Sequence, residues 1–232
     1  MKHRKYISSI ALFTALVLLT GCSGAGKMVS EGKSGNTVTI VTTSPTITNS
    51  NTAEDELAAV QNDSVKVSYP SDAWQGSFGS DPLTIYYHST MNTNQAANIN
   101  VQASQKFSGK LTESYLNQLV KEVKNDQAGV EITNSELRKI NGEPAIYIEQ
   151  TITYNDAMID MMLESGALTE ASLQEFGGRE AILAIPPTTQ VGIYAIADGW
   201  LCIYTGTYYN SNEKAEVIDT ITTMVQNTDV LK

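Results

Sequence analysis

The chain has 232 residues, of which 25 are Asp or Glu and 15 are Lys or Arg, so its net charge is −10. This acidic balance argues against binding to nucleic-acid phosphates and against electrostatic attachment to anionic lipids. Cys22 and Cys202 are the only cysteines, and Cys22 belongs to the N-terminal motif described next. No internal disulfide is therefore expected, and an apolar core has to stabilise the fold.

The N-terminal segment has the layout of a secretory signal peptide. Basic residues in Met1–Lys5 precede the apolar stretch Ile7–Leu19, which is shorter than the about 20 residues that a membrane-spanning helix needs. The Leu-Thr-Gly-Cys sequence that ends at Cys22 resembles the lipobox of bacterial lipoprotein precursors. This resemblance implies removal of residues 1–21, acylation of Cys22 and a lipid anchor facing outside the cytoplasm. An ordinary signal peptide and an internal cysteine without a lipid are the alternatives.

Residues 22–61 are rich in Ser, Thr and Asn and contain few apolar side chains, a composition that does not form a packed core. We predict a flexible linker here, which holds the rest of the chain away from the lipid surface. Loss of the signal peptide removes three basic residues and brings the net charge to −13. A linker of this length suits the crossing of a thick cell wall, which favours a Gram-positive host.

Residues 62–232 alternate between strand-like and helix-like patterns. Apolar residues at every second position predict strands, and apolar residues three and four apart predict helices. The predicted elements are strands at 65–69, 83–87 and 99–103, a helix at 111–126, a hairpin of strands 130–140 and 143–154, a second hairpin of strands 190–197 and 200–208, and a helix at 212–226 capped by Ser211. The pattern indicates an α+β domain, an antiparallel β-sheet with helices packed on it.

Two dipeptides place the turns of the hairpins. Asn141-Gly142 and Asp198-Gly199 each separate two strand-like segments. Asn, Asp and Gly accept the positive φ angles of a type I′ turn, whose twist matches that of the flanking strands. Both hairpins are therefore predicted to turn at these dipeptides.

Between the hairpins, residues 155–188 carry an apolar pattern of their own. A methionine-rich stretch predicts one short helix that ends before Gly166, and Thr169 caps a second helix, Glu170–Phe176. Ala181–Ile185 is predicted as a short strand or a covered loop.

Five apolar side chains of this segment are candidates for a partner surface, because methionine-rich surfaces adapt to partner shapes. They are Met158, Met161, Met162, Leu173 and Phe176. The other interpretation, which we favour, is that this segment folds back and completes the core.

Several segments of residues 62–232 are similar to the PsbP/Mog1-like family of small extracytoplasmic domains. The residues that carry the resemblance are the Tyr-Pro-Ser-Asp-Ala-Trp sequence at 69–74, the Asn-Ile-Asn-Val sequence at 98–101, the helix that begins near Leu111, the Asn-Gly-Glu-Pro-Ala sequence at 141–145, the Asp198-Gly199 hairpin and the last helix. The resemblance implies an α/β/α sandwich and a role in binding or assembly rather than catalysis. Residues 155–188 have no counterpart in the family pattern, and we predict that they are a helical insertion.

The residues typical of catalytic and metal sites are few. His88 is the only histidine outside the predicted signal peptide, and we interpret it as a surface residue at a strand end rather than a catalytic base. Cys202 is interpreted as a small buried apolar residue, with a reactive thiol as the alternative. No catalytic residue and no metal ligand is therefore assigned.

Asp156, Asp160 and Glu164 recur every four residues and are expected on one helix face. They indicate a solvated face or a weak site for a divalent cation. No other cofactor is expected. The sequence as a whole predicts a lipid-anchored, non-enzymatic binding or assembly protein of the bacterial cell envelope. A small-ligand or metal-binding lipoprotein and an envelope hydrolase are the alternatives.

Overall fold

The computed structural model of the chain describes residues 57–77, 82–91, 93, 95–126 and 128–232. The predicted signal peptide, Cys22 and most of the predicted linker lie outside the described residues. These described residues form ten strands and five helices, in chain order: β1 Leu57–Gln61, β2 Val65–Pro70, β3 Trp74–Ser77, β4 Leu83–Tyr87, β5 Asn98–Lys106, α1 Glu113–Asp126, β6 Val130–Ile140, β7 Glu143–Ile152, α2 Asp156–Glu164, α3 Glu170–Glu175, α4 Arg179–Leu183, β8 Thr188–Ala197, β9 Trp200–Tyr208, α5 Ser211–Gln226 and β10 Thr228–Val230.

The strands form two antiparallel sheets. Seven strands pair in the order β3-β4-β5-β9-β8-β7-β6, and β1, β2 and β10 pair in a smaller sheet with β2 in the middle. This arrangement confirms the predicted α+β class. The predicted boundary between linker and folded domain, at residue 62, has to be moved. The five residues of β1 lie in the predicted linker but form a strand. They pair with β2 and bury Val60 opposite Val67, so the folded domain begins before residue 62.

Side chains of the large sheet point alternately to two covered faces. Cys202 and Tyr204 belong to the core under α5 and the small sheet, whereas Leu201 and Ile203 belong to the core under α1. This alternation is the period of two that a β-strand imposes on its side chains. The large sheet therefore lies between α5 with the small sheet on one face and α1 on the other.

Both predicted hairpin turns are confirmed. Asn141 and Asp198 have φ angles of 51° and 50°, and the glycine after each also has a positive φ angle. The last helix begins one residue earlier than predicted, because Asn210 is its N-cap rather than Ser211. The Asn210 side chain accepts hydrogen bonds from the backbone N–H groups of Asn212 and Glu213, so it closes the first turn of α5.

The predicted helices of the insertion are present as α2 and α3, with Thr169 as the N-cap of α3. The predicted strand or loop at 181–185 is wrong, because α4 occupies most of it. β8 already pairs with β7 and β9, so no strand edge beside it is free to pair with residues 181–185. A helical turn satisfies the backbone hydrogen bonds locally.

Three of the five residues predicted for a partner surface lie inside the protein. Met158 and Met162 are 0% exposed and Leu173 is 5% exposed, and they form one core cluster with Ile152 and Tyr154. Met161 and Phe176 are half-buried at its edge. The prediction of an exposed partner surface is therefore wrong for Met158, Met162 and Leu173. The apolar stripe of α2 packs against the end of β7 instead.

Polar side chains form a buried row across four adjacent strands of the large sheet. Asn98 lies opposite Thr207, Thr207 opposite Gln190, and Gln190 opposite Gln150. The Gln150 amide donates to the Gln190 carbonyl oxygen at 3.2 Å, and the Gln190 amide donates to the Thr207 hydroxyl at 3.1 Å. These mutual hydrogen bonds offset the cost of burying amide groups.

Helix α5 approaches the large sheet closely at Gly206 in β9. A Cβ atom at this position would lie 2.1 Å from Cγ1 of Val217 and 3.2 Å from Cδ1 of Ile221. No side chain larger than hydrogen fits unless α5 moves away from β9. The absence of a side chain at position 206 therefore sets the distance between α5 and the sheet.

We expect Gly206→Ala to lower the free energy of unfolding by about 2 kcal/mol, because the added methyl group overpacks the contact with α5. Urea unfolding followed by circular dichroism measures this change. Gly192→Ala on β8 is the matched control, since a Cβ there would lie at an ordinary 3.4 Å from Tyr194. Equal stability of the two variants would contradict the close contact.

Candidate ligand-binding pocket

A pocket of about 520 Å³ lies at the end of the large sheet opposite the two hairpin turns. Three connections line it, namely the segment between β4 and β5, the segment that enters β8, and the junction between β9 and α5. The lining residues are Thr90, Thr93, Gln95, Ile185, Pro186, Thr188, Tyr209, Asn210 and Glu213. Six of these nine side chains carry a hydroxyl or a carboxamide group, so the wall is polar but largely uncharged.

Glu213 is the charged side chain among these lining residues, and it is 93% buried, with 7% of its surface exposed. It occupies the first turn of α5, where one carboxylate oxygen accepts the Tyr209 backbone N–H at 2.8 Å. This contact is close to a capping box, in which an acidic residue of the first turn accepts a backbone N–H that precedes the helix. The sequence therefore positions Glu213 through the start of α5.

The hydrogen bonds of the described residues include none to the other carboxylate oxygen of Glu213. This oxygen is not one of the fully buried side-chain atoms that lack a partner, which are Trp74 Nε1 and Glu122 Oε2, so it is open to the pocket. Glu213 also forms no ion pair within the described part of the chain. Buried carboxylates in proteins are usually paired or fully hydrogen-bonded. The positive end of the α5 dipole stabilises this charge in part, because Glu213 lies in the first helical turn. The free oxygen is thus an acceptor available to a bound molecule.

Hydrogen bonds hold the β4–β5 connection in shape where it forms one wall of the pocket. The Thr90 hydroxyl accepts the backbone N–H of Ala97 at 3.0 Å, and the Thr93 hydroxyl donates to the Thr90 carbonyl at 2.7 Å. The Thr93 hydroxyl also accepts the backbone N–H of Gln95 at 3.2 Å. The described residues of this wall are therefore hydrogen-bonded to one another without a ligand.

The pocket contains none of the site residues predicted from the sequence. His88 is exposed at the end of β4, where its Nδ1 atom lies 3.2 Å from the carbonyl oxygen of Asp72. Cys202 is completely buried, and burial raises the pKa of its thiol to about 11. The interpretation of His88 as a surface residue and of Cys202 as a core residue is confirmed.

The acidic residues of α2 share one face, as their spacing predicts. Arg179 binds two of them, with distances of 3.0 Å to Asp156 and 2.6 Å to Asp160. Among the residues that the structure describes, no group of three or more His, Cys, Asp or Glu side chains is arranged to hold a metal ion. Arg179, which follows the double glycine 177–178, supplies the positive charge that pairs with these two carboxylates.

A second carboxylate, Glu149, is saturated with donors and ties α5 to the sheet. It accepts two hydrogen bonds from Lys214 at 2.8 and 2.9 Å, one from Tyr208 at 2.6 Å and one from Tyr147 at 3.1 Å. Partial burial raises the pKa of Glu149, but the hydrogen bonds from Lys214 and the two tyrosines outweigh it and lower the pKa overall. Burial and the neighbouring Glu149 raise the pKa of Tyr147 to about 12.

Sequence reasoning missed both carboxylates. The Asn210-x-x-Glu213 spacing is a capping signal that indicates the start of α5, but it does not indicate a pocket. Glu149 lies on one strand while Tyr208 and Lys214 lie about 60 residues away in the chain, and no local pattern links them.

No family model matches the chain, and no curated protein matches it. The chain is similar to solved structures, including cyanobacterial PsbP from Synechocystis sp. PCC 6803, with 13% identity over 81% of this chain and 99% of that chain and a TM-score of 0.39. LpqN of Mycobacterium tuberculosis, described as involved in cell envelope biogenesis, aligns at 11% identity over 77% of this chain and 87% of that chain, with a TM-score of 0.41. The Ran-binding protein Mog1p of Saccharomyces cerevisiae aligns at 6% identity over 72% and 90%, with a TM-score of 0.40.

These comparisons assign no family and no function. PsbP and Mog1 are the proteins that the sequence resemblance named, but TM-scores below 0.5 do not establish a shared detailed architecture. The antiparallel sheet with helices packed on it is established by the pairing of the strands themselves. Within the described residues, no helix is long and apolar enough to cross a membrane.

We expect Glu149→Gln to lower the free energy of unfolding at pH 7 by about 2 kcal/mol, because hydrogen bonds to a charged acceptor are lost. The pKa of Glu149 is lowered in the folded state, so its contribution is present above its unfolded pKa and is lost as the pH falls through its folded pKa. The difference from the wild type should therefore shrink towards acid pH. Urea unfolding between pH 3 and pH 8 measures it.

Glu136→Gln is the matched control for this experiment. Glu136 pairs with Arg138, and both side chains are more than a third exposed, so this substitution should cost below about 1 kcal/mol. A constant difference between wild type and Glu149→Gln across the pH range would contradict the role of the Glu149 charge.

Proposed function

We propose that this chain is a lipid-anchored, non-enzymatic binding protein on the extracytoplasmic side of the bacterial cell envelope. The observation that carries the binding role is the free oxygen of Glu213, a carboxylate that is 93% buried in the wall of a pocket. A protein keeps such a group only where its surroundings offset the cost of burying the charge. A ligand that donates to this oxygen completes the hydrogen bonding that the chain leaves open.

The N-terminal residues support the lipid anchor. The Leu-Thr-Gly-Cys sequence places Cys22 where a diacylglycerol thioether would carry two acyl chains, and each buried methylene contributes about 0.8 kcal/mol to membrane binding. A fully extended chain between Cys22 and Leu57 would reach at most about 120 Å. This reach would let the folded domain stand above the membrane and within a thick wall, in keeping with a Gram-positive host.

The described lining of the pocket favours binding over catalysis. Glu213 has no second carboxylate beside it among these residues, and hydrolysis of a glycosidic bond usually requires a pair. The lining threonines lack a neighbouring histidine or lysine among the residues that face the same pocket, so no activated nucleophile forms there. A small-ligand binding site is therefore the form of the proposed function that this geometry supports best.

The anchor predicts that protein isolated from cells carries the mass of a diacylglycerol group on Cys22. Intact-mass spectrometry and membrane fractionation measure this, and Cys22→Ser should abolish both the added mass and the membrane association. Cys202→Ala is the matched control, because Cys202 is buried in the core and has no part in the anchor. An unmodified Cys22 in cell-derived wild-type protein would contradict the proposal.

The binding role predicts that small polar molecules bind in the pocket of the full chain. In a screen of a mixed polar library by ¹H–¹⁵N NMR, at least one compound should shift the amide signals of Thr90, Thr188 and Glu213 together. The hairpin turns at Gly142 and Gly199, at the opposite end of the sheet, provide signals that should not move. A library without any compound that shifts the pocket signals would contradict the binding role.

A further inference from the structure

We propose that the ligand of the pocket is an uncharged molecule rich in hydroxyl groups, of the chemical class of neutral saccharides. This inference rests on the proposed binding function and deepens it. It follows from three properties of the described lining residues: their charge, their hydrogen-bonding capacity and the distribution of their apolar side chains.

The charges around the pocket disfavour anions and offer a cation only one carboxylate, whose charge is partly compensated. Glu213 repels an anion, and the described lining residues include no Lys, Arg or His to offset it. A cation would bind close to the first turn of α5, where the positive end of the helix dipole lies. One of the two carboxylate oxygens of Glu213 also already accepts the Tyr209 N–H. A neutral ligand avoids the repulsion that an anion meets, needs no second carboxylate to pair with, and can still donate to the free oxygen.

The hydrogen-bonding groups of the lining match a ligand that both donates and accepts. The free carboxylate oxygen of Glu213 is an acceptor only, so the ligand must present an O–H or N–H group to it. The hydroxyl of Thr188 donates to the Pro186 carbonyl at 3.3 Å, and Thr188 is only 2% exposed, so its proton is used within the protein. Gln95 is exposed and carries both an amide donor and an acceptor. Hydroxyl groups fit this mixed set because each one donates and accepts.

The apolar surface of the lining comes from Ile185, Pro186 and the ring of Tyr209, which belong to two of the three connections. A sugar ring presents C–H groups on its faces and hydroxyl groups at its rim, so it fits a site that combines apolar and polar walls. The volume of about 520 Å³ lies within the roughly 300–1,000 Å³ typical of small-molecule sites. The pocket is therefore of a suitable size for one or two sugar rings.

The test uses the full chain, solubilised in detergent, with three groups of probes of different charge. The neutral probes are cellobiose and diacetylchitobiose, the cationic probes are glucosamine and spermidine, and the anionic probe is glucuronate. NMR titration follows the amide signals of Thr90, Thr188 and Glu213. We expect a neutral disaccharide to shift all three signals with a saturable curve, and the charged probes to shift them at least tenfold more weakly.

Glu213→Gln supplies the second readout. The Gln side chain retains an oxygen that can accept the Tyr209 N–H, but it loses the charge that strengthens the hydrogen bond to the ligand. We expect about tenfold weaker binding of the neutral disaccharide. Glu216→Gln, which removes the same charge from an exposed position of α5, should leave the affinity unchanged. The shift mapping on the wild type needs no variant and stands even if Glu213→Gln unfolds.

The outcomes separate this inference from the proposed function. Saturable pocket shifts with spermidine or glucuronate and none with the neutral disaccharides would overturn the neutral-ligand inference and leave the binding role in place. Equal weakening by Glu213→Gln and Glu216→Gln would overturn the role of the buried carboxylate. Absence of pocket shifts with every probe would overturn the ligand class, whereas the binding role itself is decided by the library screen.

Discussion

The contact between α5 and the large sheet is the constraint on which the other features depend. At Gly206 the helix lies so close to β9 that a methyl group would overlap Val217. The position of the helix along the sheet is then held by Lys214, which binds Glu149 on β7. Because Glu213 precedes Lys214 directly, the same docking that places the lysine over the sheet brings the neighbouring carboxylate to the pocket.

Glu149 on β7 and Glu213 on α5 differ in how many of their hydrogen-bonding sites the protein itself fills. Glu149 accepts four hydrogen bonds from Lys214, Tyr208 and Tyr147, so its capacity is used within the protein. Glu213 accepts one backbone hydrogen bond and is the more deeply buried of the two. The first is a structural tie, and the second is an acceptor that a ligand can use.

The insertion between the two hairpins contributes to the pocket without forming an exposed binding surface of its own. Its methionines fill a separate core beside β7, and this packing holds α4 and the following residues 185–188 in place. Ile185 and Thr188 then form part of the pocket wall. The apolar character of the insertion, which the sequence displays clearly, thus serves to position a polar site that the sequence does not display.

The sequence by itself determined the features that depend on neighbours along the chain. The turns at Asn141 and Asp198, the cap at Thr169 and the apolar stripes of α1 and α5 follow from local backbone preference and periodicity. Only the tertiary structure decided which side of α2 is buried, how β1 extends the domain and where Glu213 lies. These depend on contacts between residues far apart in the chain, and side-chain type alone does not encode the distance between them.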